Sequence, residues 1–158
     1  VEGHLDGVGV DISIRRIPGR KSDEVYTQYT VDLPDFVPSD LRLYDETVMR
    51  SLRETIKGDD LHIGYPEIDD AFIIHADYEE RAHNFFGKPG VADAFRDLAD
   101  SVKDVHVEKG RLSLDQPGWE RSFSELERKL KVLTRFRRRL DACFDEDCGE
   151  SASVVEWQ

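Results

Sequence analysis

The sequence predicts an α+β domain, a mainly antiparallel sheet with helices packed on one face. Three observations carry this. Val8, Val10, Ile12 and Ile14 alternate with small or polar residues, as do Val25, Tyr29, Val31 and Leu33 after a polar turn; that two-residue period belongs to half-buried strands. Val105 and Val107 flank Lys109-Gly110 together with Leu112 and Leu114, a compact hairpin signal. Leu126, Leu130, Leu133, Phe136 (or Arg137), Leu140 and Phe144 recur at helical spacing. The expected order is β-β-β-α-β-α-α-β-β-α. Strands and helices do not alternate regularly, which argues against a doubly wound parallel sheet.

In chain order, Pro18 to Asp23 is turn-forming and closes the first hairpin, and Pro34 and Pro38 end its second strand. A short strand follows at Leu41 to Tyr44. Asp45 can cap a helix whose Val48, Leu52 and Ile56 share one face and which Gly58 stops. Residues 59 to 70 read as an irregular acidic stretch, and Ala71-Phe72-Ile73-Ile74 as a mostly buried strand. Asp77 and Glu80 form a capping-box-like start to a short helix that ends at Gly87. Pro89-Gly90 introduces another helix with Val91, Phe95, Leu98 and Val102 inward. Ser122 or Ser124, each with Glu three residues on, starts the longest helix. The expected organisation is one domain over residues 1–144 and an acidic, mobile tail over 145–158, with Trp157 available to dock back.

A chain of 158 residues can bury a core without disulfide or metal. No window reaches the ~18 consecutive apolar residues of a membrane span, and the N-terminus has neither signal-peptide nor transit-peptide character. The net charge is −12, with Asp over Glu 20 to 14 and Arg over Lys 15 to 7. Such a surface repels itself at low ionic strength and is screened by salt. It resembles the proteins of salt-accumulating halophiles, which implies a high-salt cytosol; an ordinary acidic cytosolic protein is the alternative. It also repels nucleic acid and anionic lipid over most of its area, so no nucleic-acid partner is expected and a membrane only through a tether outside this chain.

The stretch from Asp59 to Asp77 concentrates Asp59, Asp60, His62, Glu67, Asp69, Asp70, His75 and Asp77. Carboxylates and imidazoles can bind a divalent metal or do acid–base work, and Asp69, His75 and His83 are the weak metal candidates. Their spacing matches no metal motif, so a solvated loop is the favoured reading and no metal or other cofactor is expected. Cys143 and Cys148 are too few for a disulfide framework; two unrelated thiols are favoured over a strained local disulfide. No phosphate-binding glycine loop or nucleophile elbow occurs. The one charge anomaly is the last helix. Seven basic residues fall in the twelve positions from Arg128 to Arg139, and Arg128, Lys131, Arg135 and Arg138 can share an outward stripe. They are the partner-binding candidates, for an acidic protein or an anionic ligand; the structural alternative is helix-end charge and ion pairing.

The segment His62 to Ala76, with Ile63-Gly64-Tyr65-Pro66-Glu67-Ile68-Asp69, resembles an uncharacterised group of prokaryotic, halophilic-archaeal-like α+β proteins. These carry "I-G-D-P-E-F-D-x-x-F-x-V" after a Y-T-x-x-x-V-x-L-P strand, to which Tyr29 to Pro34 is similar. The Gly110 to Leu114 hairpin and terminal helix look similar too. Tyr65 and Ile68 depart from the commoner Asp and Phe. Members often follow membrane-spanning segments, so the resemblance implies a module tethered through residues outside this chain, and it implies no catalytic residue. The function expected is a non-catalytic interaction or sensory module in the cytoplasm. A small-molecule-binding α+β domain and a metal-dependent enzyme using Asp59 to Asp77 are the alternatives.

Overall fold

The computed structural model describes residues 1–5, 7–19, 21–45 and 61–156, with residues 145–156 as backbone only. The elements are β1 (Glu2–Leu5), β2 (Val8–Ile17), β3 (Glu24–Asp32), β4 (Arg42–Asp45), α1 (Pro66–Ala71), β5 (Phe72–His75), α2 (Glu79–Phe86), α3 (Val91–Ser101), β6 (Val105–Glu108), β7 (Arg111–Pro117) and α4 (Phe123–Glu156). The strands form one seven-stranded sheet in the order β1-β2-β3-β7-β6-β4-β5, antiparallel at every pairing. The fold class is the α+β sheet that the alternating patterns predict.

The register puts one apolar row across six strands: Val10, Val31, Leu112, Val107, Leu43 and Ile74. Ile12, Tyr29, Leu114 and Val105 make the next row. These side chains form one core with Leu98 of α3 and Leu130, Leu133, Phe136 and Leu140 of α4. Phe136, not Arg137, belongs to the inward stripe: it is buried edge-on to Phe95 at 4.9 Å, while the Arg137 guanidinium meets Asp141 and the Asp32 carbonyl. Phe95 also packs edge-on against Phe72 and Phe85, tying α3 to β5 and α2. Gly90, at φ +87°, leads into α3 so close to α4 that a Cβ there would stand 2.9 Å from Cys143 Sγ; an alanine would meet both strain and collision.

Several local expectations are corrected. Part of the irregular acidic stretch is helical: α1 starts with Pro66 in its first turn and Glu67 and Asp69 near its N-terminus, the residues that a helix start favours. An additional strand, β1, opens the chain, with Leu5 opposite Val8 in the register. The capping box at Asp77 does not form. Tyr78 is the N-cap of α2 and no side chain caps it. Its own N–H donates to Asp40, 2.9 Å away, and Asp77 faces Arg42 at 3.5 Å. Ser122 is the cap of α4, accepting the Glu125 N–H, and the helix backbone continues past Phe144 into residues 145–156. The helix expected at Val48 to Ile56 lies outside the described residues, as do Asp59, Asp60 and Trp157.

Candidate functional site

α4 carries its cations in two populations. Its inward stripe fixes its rotation on the sheet, so residues 128, 131, 135 and 138 all point to solvent. Arg128 pairs with Glu125 at 3.1 Å and Lys131 with Glu127 at 2.9 Å, both exposed intrahelical contacts of small energetic value. Arg135 and Arg138 make no ion pair among the described residues. With Lys131, Thr134 and Arg139 they line an open concavity of about 410 Å³.

The remaining cations of the helix are structural. Arg139 reaches across to Asp97 of α3. Lys129 pairs with Glu120 at 3.1 Å, both side chains largely buried, touches Gln116 of β7, and lies 5.8 Å above the Tyr29 ring. Glu120 is held below the ordinary glutamate range, first by the Ser122 N–H, with Lys129 and Gln116 adding to it against the cost of burial. Burial, with Glu120 beside it, pushes the Tyr29 hydroxyl up to about 12. Sequence periodicity singles out the four outward residues; it gives no sign that two of them are already paired.

The acidic stretch dissolves into separate roles. Asp69 accepts from the Ile63 and Gly64 N–H groups at 2.9 and 3.1 Å, closing the turn before α1. His75 is buried on β5, and His83 is exposed on α2. Among the described residues no three His, Cys, Asp or Glu side chains stand together as a metal site would need. Cys143 is buried against the helix entry at Gly90.

One polar cluster has no counterpart in the sequence reading. On the sheet face opposite the core, His106 Nδ1 lies 3.6 Å from Asp115, Gln28 donates to Asp115 at 2.8 Å, and Tyr44 stacks on His106. Ser113 is opposite His106 in register, but its hydroxyl bonds to Thr30 at 3.2 Å. Partial burial, with Asp45 and Asp115 nearby, raises the carboxyl of half-buried Asp104 above the usual range. The only signal for this cluster was the Lys109-Gly110 hairpin, which sets His106 across from Ser113 once the turn length is known.

Among the described residues no helix is long and apolar enough to cross a membrane. The chain matches no protein-family model, and comparison with curated proteins and with solved structures gives no match.

Proposed function

We propose that the chain is a non-catalytic interaction module whose α4 recognises an acidic protein segment. One observation carries this reading: Arg135 and Arg138 stand exposed and unpaired among the described residues, in a chain with twelve more acidic than basic side chains. Carboxylates are abundant in this molecule, and helix neighbours of these two arginines have captured them. A guanidinium left without one offers its planar fork to an incoming carboxylate. Arg128 and Lys131, already paired within the helix, flank the contact and set its field rather than its geometry. Exposed ion pairs contribute little individually, so the recognition is of several acids at once.

The test is fluorescence anisotropy with a labelled oligoglutamate peptide at the lowest ionic strength at which the chain stays folded. Arg135→Glu with Arg138→Glu should weaken binding by at least ~10-fold, since each reversed charge contact costs on the order of 1 kcal/mol. The melting temperature should stay within about 2 °C. Unchanged peptide affinity in a folded double variant would sink the reading. Unfolding as severe as that of a core truncation would show that the two arginines are structural.

A further inference from the structure

The far end of the β2–β3 ribbon stands clear of the rest of the sheet. Beside β2 the start of the chain reaches no farther than Ile12, which exchanges backbone hydrogen bonds with Val1, and β7 pairs with β3 no farther than Tyr26. The β2–β3 ladder runs on to Ile17 and Glu24. Beside it the chain leaves β7, crosses Thr27 and enters α4. This crossing is firmly held. Gly118 N–H donates to the Val25 carbonyl at 2.7 Å, the Thr27 hydroxyl donates to the Gly118 carbonyl at 2.7 Å, and Glu120 N–H donates to Thr27 Oγ at 3.1 Å.

Firm backbone and exposed apolar side chains coincide here. Ile14 is 41% exposed, Ile17 51%, Trp119 55% and Phe123 77%. They are four of the seven large apolar residues exposed among the described residues. The cations are equally out of keeping with the rest of the chain. Arg15, Arg16, Lys21 and Arg121 are exposed and form no ion pair among the described residues. Of the acids nearby, Glu24 accepts from the Tyr26 hydroxyl, Glu120 holds Lys129 and Glu125 holds Arg128, while Asp23 is exposed and forms no ion pair among the described residues.

We propose that this end of the molecule docks end-on to an anionic bilayer, with Trp119, Phe123, Ile14 and Ile17 at headgroup depth and Arg15 and Arg16 on lipid phosphates. Ile14 and Arg16 lie on one face of the ribbon and Arg15 and Ile17 on the other, so the end of the ribbon enters the headgroups with both faces. Indole and phenyl rings settle at the membrane–water interface, and basic residues beside them add attraction to anionic lipid. The ribbon end projects, so it suits a deformable interface that needs no matching pocket. The chain's net negative charge does not oppose this at short range, because at physiological ionic strength fields are screened within ~8 Å. The docking surface is separate from Arg135 and Arg138, and either can fail without the other.

The test uses the full chain carrying Trp157→Phe, which leaves Trp119 as its one tryptophan. Vesicles of phosphatidylglycerol with phosphatidylcholine are compared with phosphatidylcholine alone, at an ionic strength where circular dichroism shows the chain folded. The chain should float with the anionic vesicles only, and Trp119 emission should shift to the blue and be quenched by brominated lipid. Arg15→Ala and Arg16→Ala should each weaken partitioning about fivefold, and Trp119→Ser with Phe123→Ser at least tenfold, on the order of the apolar area removed. Absence of flotation by the folded chain overturns the proposal, as does flotation that these substitutions leave unchanged. A dimer in sedimentation equilibrium that Trp119→Ser dissolves, without vesicle binding, would assign the patch to a second copy of the chain instead. Trp119 quenching in the Trp157→Phe chain needs no change to the patch, so it decides the matter even where a patch variant misfolds.

Discussion

Lys129 and Arg135 carry the same charge on the same helix, yet they face opposite chemical situations. Lys129 is 14% exposed and its partner Glu120 is 8% exposed, so neither charge is well hydrated without the other. Lys129→Met should therefore cost about 1–2 kcal/mol, because it removes a charged hydrogen-bond partner from a half-buried carboxylate that keeps the Ser122 N–H, and Glu120→Gln added to it should recover part of the loss. Urea unfolding of the two variants against the parent checks this. Linkage gives a second signature. The Glu120 carboxyl is depressed in the folded chain, so its contribution is present above the unfolded value and is lost as pH falls through the folded one. Glu120→Gln should flatten the acid limb of stability below the ordinary glutamate range. None of this was legible in the sequence. Glu120 and Lys129 are nine residues apart across a loop and a helix start, and the turn between them, in which Glu120 accepts the Ser122 N–H, is what lets them meet.

At the scale of elements, legibility follows the range of the interaction that makes each element. The β6–β7 hairpin is written locally: Lys109 and Gly110 both have positive φ, 52° and 72°, as a two-residue turn between twisted strands requires. The α4 stripe is legible for the same reason, and its centre Leu133 is completely buried. Leu133→Ala should cost about 2–5 kcal/mol through lost burial and the cavity left behind, read as a drop in the urea midpoint at unchanged slope. The start of α2 was misplaced by one residue because its N–H acceptor is Asp40, far away in sequence. β1 was missed although Asp6-Gly7 is itself a hairpin dipeptide, since only four residues of strand precede it and they carry little alternation. The strip on α4 was legible as composition. Which of its members are already paired depended on Glu125, Glu127 and Asp97, which periodicity alone does not rank.

For the molecule as a whole, charge dominates the expected response to solvent. With a net charge of −12 on 158 residues, self-repulsion opposes the compact state until salt screens it. The melting temperature should rise by several degrees from low to molar KCl, by more than an osmotically matched neutral solute achieves; differential scanning calorimetry in the two series decides it, and a flat KCl series would remove the halophilic reading. Strand order has a consequence of another kind. β3 and β6 are joined only through β7, and Tyr29 of β3 and its β7 partner Leu114 lie far apart along the chain. During synthesis the first three strands can assemble early, but the open edge of β3 stays without its neighbour until residues 111–117 have emerged. An unpaired strand edge is a template for other chains, and a late, long-range closure is slow. The interval between translation of Asp32 and of Arg111 is thus the period in which a crowded cell can misassemble this protein, and in which a holding chaperone would have something to protect.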